Sequence, residues 1–277
     1  MQSQRGKSVL ASPSGGSQFL VGGGAELRLY DCEDPTSSRF NTLSVVSELP
    51  GLRAFAWSPH AGYPLVAAGL TTGRVLLLRL DTAGSSGRTP PGAAAAQINV
   101  RHSRPCNVVA FSPDQPGLLA VGLEKGRGES LLVYDVTQST RAFDPSASGT
   151  PIARTFSLQR EPSQTGRGRA HSPAAAAASS SSLEPHPLLS FGSSENVTSA
   201  AFLTSPSGTS PSSTSPLLAA AMAGKWLRVY DLRSPPSTVT TWGTRSVYGI
   251  AANPTHGQQF VSHGDDGVVR LWDLRKP

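Results

Sequence analysis

Short apolar runs recur along the chain, and five of them end in the same way. LRLYD (27–31), LLRLD (77–81), LLVYD (131–135), LRVYD (227–231) and VRLWD (269–273) each close an apolar or alternating stretch with aspartate. Such a run reads as a half-buried or buried strand that stops at a turn. A second apolar run precedes each, joined to it by small or turn-forming residues: FLVGGG, LVAAGLTTG, LLAVGLEKG, LLAAAMAGK and FVSHGDDG. Two apolar runs with that link predict a β-hairpin. Further upstream lies a third run that stops at proline: VLASP (9–13), FAWSP (55–59), VAFSP (109–113), AAFLTSP (200–206) and IAANP (250–254). Proline presets the turn and cannot donate to a ladder, so it marks the strand end. A fainter fourth run appears at LSVVS (43–47), QINVR (97–101), PLLSF (187–191) and TVTTW (238–242). The predicted unit is a four-stranded antiparallel sheet.

The closing aspartates Asp31, Asp81, Asp135, Asp231 and Asp273 stand 50, 54, 96 and 42 residues apart. A four-stranded repeat of about 40–45 residues is the blade of a WD-repeat β-propeller, so the expected fold is all-β. The units fall at about 8–47, 53–101, 106–191, 197–242 and 246–277. The longer intervals hold extra sequence rich in Ala, Ser, Pro and Gly at about 81–96, 137–186 and 204–216. Those stretches lack the apolar content to offset the entropy of ordering and are expected to be disordered inserts. The fifth unit offers three strands, so the expectation is an incomplete arc of a larger ring, completed by sequence beyond Pro277.

The resemblance to WD repeats is strongest in FVSHGDDGVVRLWDLRK. In that family a strand Ser, a hairpin Asp, a strand Trp and a loop His form a hydrogen-bonded set. Ser262, Asp266 and Trp272 match it without the His, whereas His102 occupies the loop position of the third unit without the Ser. A narrower resemblance lies in RHSRPCNVVAFSPDQPGLLAVGLEKGRGESLLVYD, PLLSFGSSENVTSAAF and VYGIAANPTHGQQFVSHGDDGVVRLWDLRKP. With Arg104, Cys106, Asn107 and the loop from Gly122 to Arg127, these segments resemble the N-terminal propeller of the Mios family. Members of that family are subunits of the GATOR complex, called SEA in fungi, and continue into a helical solenoid and a zinc-binding region. The resemblance implies a non-enzymatic scaffold subunit that relays amino-acid sufficiency to TOR kinase signalling at the vacuolar or lysosomal surface. Its partners would be other subunits, WD-repeat proteins among them, with only indirect membrane association. A generic WD-repeat adaptor in ubiquitin ligation or vesicle coating is the alternative. Arg104, Glu124, Lys125 and Arg127 are the candidate partner-binding residues.

Composition narrows the classes further. The longest apolar runs fall short of the roughly 20 residues needed to span a bilayer, and the first residues lack a secretory apolar stretch. Cys32 and Cys106 supply neither a disulfide framework nor a Cys-x-x-Cys zinc site, so a cytoplasmic protein is expected. The net charge of +6 sits partly among five arginines of the long insert, and no basic stripe with interleaved aromatics points to nucleic acid. Gly224-Lys225 lacks the rest of a phosphate-cradling loop, and no Gly-x-Ser-x-Gly elbow exists. His263, Asp265 and Asp266 read as turn chemistry rather than metal ligands. The expectation is no catalytic residue, no metal and no cofactor.

Overall fold

The computed structural model describes residues 8–13, 15–34, 39–60, 65–80, 94–115, 117–137, 185–204, 216–223, 225–235 and 237–276. Asp81 and nearly all of the three inserts lie outside the described residues. Among the described residues nineteen strands form five antiparallel sheets. Blade 1 holds β1 (Ser8–Ala11), β2 (Gln18–Gly23), β3 (Glu26–Asp34) and β4 (Arg39–Val46). Blade 2 holds β5 (Leu52–Trp57), β6 (Leu65–Leu70), β7 (Arg74–Arg79) and β8 (Ala94–Asn99). Blade 3 holds β9 (Cys106–Phe111), β10 (Leu118–Leu123), β11 (Glu129–Asp135) and β12 (Leu189–Ser193). Blade 4 holds β13 (Val197–Leu203), β14 (Leu217–Met222), β15 (Trp226–Asp231) and β16 (Val239–Gly243). Blade 5 has three strands: β17 (Val247–Ala252), β18 (Gln259–Gly264) and β19 (Val269–Asp273).

The strands lie in sequence order within every blade, as successive hairpins require. Ring-forming contacts run between consecutive inner strands, β5 to β9, β9 to β13 and β13 to β17, with β2 meeting β5 at the first junction. The core is therefore divided among the junctions. Leu20, Leu27 and Leu29 meet Val66, Ala68 and Leu78 between blades 1 and 2. Val75, Leu77 and Ile98 meet Leu119, Val121 and Tyr134 between blades 2 and 3. Leu131, Val133 and Phe191 meet Phe202, Leu218 and Tyr230 between blades 3 and 4. The last junction sets Leu203, Ala219, Leu227 and Val229 against Phe260, with Trp242, Trp272 and Ile250 only partly covered.

Register explains the repeated aspartate. The first residue of the second strand pairs with Asp31, Asp135, Asp231 and Asp273 in blades 1, 3, 4 and 5. In blade 2 the same place is taken by Arg79, opposite Leu65. Counting back from that place, the second and fourth residues face the next blade. Leu27, Leu29, Val75, Leu77, Leu131, Val133, Leu227 and Val229 are all at most 5% exposed there. Their counterparts in blade 5, Val269 and Leu271, are 69% and 66% exposed. A buried Val or Leu contributes about 1.5–3 kcal/mol, so the pair forgoes roughly 3–6 kcal/mol that the other blades gain. The outer flank of blade 5 is an uncovered junction surface.

Candidate protein-interaction site

The loop from Glu124 to Gly128 joins β10 to β11, and an arginine from the preceding blade linker holds it. Arg104 is 6% exposed. Its Nε and Nη2 donate to the Glu124 carbonyl at 3.0 and 2.6 Å. Nη1 donates to the carbonyls of Arg127 and Glu129 at 2.9 and 2.8 Å, and Nη2 also reaches Ser130 Oγ at 2.9 Å. A planar fork of N–H groups suits converging carbonyls, which a lysine could not span. Burial pulls the Arg104 pKa below its usual value, opposed by the nearby Glu129 carboxylate. An arginine titrates so high that it stays charged at any physiological pH. Glycine at 126 is a requirement of the packing, because a Cβ there would lie 2.6 Å from Arg104 Nε.

With Arg104 occupied inside, other side chains of the loop meet solvent. Lys125 and Arg127 are exposed and Glu124 is half-buried. Glu124 accepts a 2.8 Å ion pair from Arg53 of blade 2, which ties the loop to the preceding blade. His102 is also exposed, in a left-handed turn with φ +67°. Its ring makes no hydrogen bond among the described residues, and β10, the strand whose Ser would receive it in a WD blade, has none. The four candidate residues thus come together, with Arg104 as the internal clamp and Lys125 and Arg127 as the accessible charges.

The repeat positions have local explanations. Asp135, Asp231 and Asp273 accept the backbone N–H two residues on, from Thr137, Arg233 and Arg275, at 2.9, 2.9 and 3.0 Å. This is the turn an Asp side chain forms with its own backbone. Asp31 instead accepts from the Ser17 hydroxyl. Arg275, then Gln259, hold the Asp273 carboxyl well below the usual carboxylate range. In blade 5, Trp272 Nε1 donates to the buried Ser262 Oγ at 2.9 Å. Asp266 closes the adjacent hairpin by accepting from the Val268 N–H at 3.1 Å and from Arg270 at 2.6 Å. Burial pushes the Cys106 thiol up to about 12, so it is not a thiolate at neutral pH. Among the described residues no group of three or more His, Cys, Asp or Glu could hold a metal ion, and no helix is long and apolar enough to cross a membrane.

A further set of linkers escaped the sequence reading. Each inner strand from blade 2 onward bulges at its second residue: Arg53, Asn107, Thr198 and Tyr248. A bulge re-aims the extra side chain. Arg53 reaches Glu124 of blade 3, and Asn107 Nδ2 reaches Asn196 Oδ1 at 2.7 Å and the Val197 carbonyl at 3.2 Å. Thr198 Oγ1 reaches the Val247 carbonyl of blade 5 at 2.7 Å. Tyr248, the equivalent in blade 5, is 58% exposed on the uncovered flank. The signal was present in LRAF, CNVV, VTSA and VYGI, where a residue capable of hydrogen bonding interrupts the apolar start of a strand.

Comparison with known proteins fits these features. No family model matches the chain. The chain is 26% identical over 246 residues to the GATOR2 complex protein MIOS of Dictyostelium discoideum, covering 84% of this chain and 20% of that protein. It is 29% identical over 266 residues to the protein of the same name from Danio rerio, covering 95% of this chain and 26% of that one. It is also 35% identical over 91 residues to SEH-associated protein 4 of Saccharomyces cerevisiae, covering 33% of this chain and 8% of the yeast protein. The chain thus spans between a fifth and about a quarter of the MIOS relatives' length. The family resemblance read from the residues is matched by similarity to MIOS proteins along most of the chain.

Proposed function

We propose that this chain is a non-enzymatic scaffold subunit of a GATOR/SEA-type complex, relaying amino-acid sufficiency to TOR kinase signalling through protein–protein contacts of its propeller. The observation that carries the reading is similarity over 84–95% of the chain to proteins named as GATOR2 complex components. The yeast relative, named for its association with SEH, supports the same class of assembly. A propeller displays loops on a rigid frame and needs no chemistry of its own to do so. In this reading the exposed Lys125 and Arg127 contact a neighbouring subunit, and Arg104 fixes the loop that presents them. Other WD-repeat proteins are the expected partners, and attachment to the vacuolar or lysosomal membrane is indirect.

The test is purification of the tagged, full-length native protein followed by mass spectrometry. GATOR-type subunits in the eluate support the proposal, whereas ubiquitin-ligase or coat subunits in their place overturn it. Reversing charge at Lys125 and Arg127 should reduce recovery of a partner without changing thermal unfolding. Unchanged recovery of every partner would remove the loop from the interface.

A further inference from the structure

Three blade junctions can be compared position by position, and one of them departs in charge. Two residues ahead of each inner strand lies a linker residue: Arg104 before β9, Glu195 before β13 and Arg245 before β17. The first two engage the blade that follows. Arg104 is saturated by the carbonyls of the blade 3 hairpin. Glu195 accepts from Arg228 of blade 4 at 2.6 and 3.3 Å. Arg228 lies three residues before Asp231, and the same place in blade 5 is Arg270, three before Asp273. At the last junction, therefore, Arg270 faces the position where an acid would be expected and finds Arg245 there. Two like charges cannot pair, so Arg270 turns to Asp266 within its own hairpin, at 2.6 Å. Arg245 is exposed, and its side chain makes no ion pair among the described residues.

The mismatch leaves space. A cavity of about 510 Å³ opens between the outer hairpin of blade 4 and β19, lined by Lys225, Trp226, Arg245, Arg270 and Trp272 together with Gly243 and Thr244. The lining holds three cations and two indoles; Asp266 pairs with Arg270, and Lys225 and Arg245 have no ion pair among the described residues. Lys225 and Arg245 are held close, because the Thr244 N–H donates to the Lys225 carbonyl at 2.9 Å. Trp226 is 41% exposed, although a tryptophan gains most from burial. Basic groups beside exposed aromatic surface complement a segment that pairs a carboxylate with an apolar side chain.

We propose that this groove binds an acidic peptide segment of a protein partner. An Asp or Glu of the segment lies between Arg245 and Lys225, supplying from outside the carboxylate that Glu195 supplies within the chain one blade earlier, and an adjacent apolar side chain covers the indoles. The groove is separate from the Lys125 and Arg127 loop on blade 3, and the proposal does not depend on the identity of the assembly.

The test is selection from a phage-displayed library of random nonapeptides on the immobilised full chain, followed by fluorescence anisotropy with the enriched peptide. Enrichment of Asp or Glu beside aromatic or aliphatic residues is expected. Arg245→Glu and Lys225→Glu should each weaken binding by about tenfold or more, as loss of a paired charge does at an interface. Arg39→Glu, at an exposed position on blade 1, should leave binding unchanged. Arg245→Glu also restores on blade 5 the acid that Arg228 enjoys on blade 4, so thermal stability should hold or rise, and lost binding cannot then be ascribed to unfolding. No enrichment, enrichment of basic peptides, or equal affinity for the Arg245→Glu chain would overturn the proposal. So would binding of an oligo(dT) probe that depends on Arg245 in the absence of any peptide.

Discussion

Replacing Arg104 by methionine is the sharpest test of the clamp, since it removes the charge while keeping most of the buried stem. The guanidinium makes five hydrogen bonds to four groups: the carbonyls of Glu124, Arg127 and Glu129, and Ser130 Oγ. A hydrogen bond to a charged group contributes about 1.5–3 kcal/mol, but these share one cation and are not additive. Water at the loop surface recovers part of the loss, whereas each buried carbonyl left without a donor costs about 1–3 kcal/mol, so three of them cost about 3 kcal/mol or more. The lower figure, about 3 kcal/mol, corresponds to roughly two decades in an opening equilibrium. Hydrogen–deuterium exchange of the full chain should accordingly show amides of residues 124–130 exchanging about a hundredfold faster, with the β13–β14 ladder unaffected. Arg104→Lys should recover only part of the protection, because a single ammonium cannot take the place of Nη2 at the Glu124 carbonyl and Ser130 and also of Nη1 at the Arg127 and Glu129 carbonyls. Protection within a factor of about five of wild type in Arg104→Met would refute the clamp, since that is about 1 kcal/mol.

Further outcomes follow from other parts of the molecule. Trp272→Phe should lower stability by about 1–2 kcal/mol in urea unfolding, since it leaves the buried Ser262 hydroxyl without its donor. Cys106 should resist iodoacetamide at pH 8 in the folded chain while Cys32, half-buried, reacts; because burial raises the Cys106 pKa to about 12, its contribution is intact below the unfolded thiol pKa of about 8.5 and is lost as pH climbs towards 12. Substituting Val269 and Leu271 by threonine should reduce concentration-dependent light scattering of the 277-residue chain without lowering its melting temperature, because both side chains already face solvent.

Much of the architecture was legible because each blade writes its strands as apolar runs and its turns as Gly, Asp or Pro. The pairing of Trp272 with Ser262 followed from the WD-type residues alone. The role of the closing aspartates was visible as position but not as chemistry, which rests on a backbone N–H two residues on. Blade 2 obscures the repeat: its run LLLRLD puts Arg79, not the final aspartate, opposite Leu65. The sequence groups Arg104 with the contact residues because its loop and the 122–127 hairpin turn lie on the same side of a propeller, in one partner-binding or inter-blade patch. Nothing local in the sequence announces that three carbonyls from a hairpin some 20 residues later will enclose it. The reversal at Arg245 is equally invisible until the junctions are superposed by register.

The junctions differ more than the blades do, and that difference bears on function. Burying apolar surface between consecutive sheets is common to all four described junctions and explains why the sheets stack. The polar links above that surface are not shared. An arginine saturated by carbonyls closes the second junction, an acid–base pair closes the third, and two arginines leave the fourth open. A scaffold gains rigidity from the first two arrangements, because each satisfies its buried or half-buried charge within the chain. The third arrangement forgoes the same stabilisation where Glu at position 245 would supply it. Among the described residues no acid pairs with Arg245, and in the proposed binding mode a partner's carboxylate completes the charge pattern. The open junction and the uncovered flank carrying Val269, Leu271 and Tyr248 belong to the same blade. Blade 5 is consequently where the described propeller leaves most of its junction surface uncovered, and blade 3, with its clamped loop, is where the proposed partner contact would be preformed.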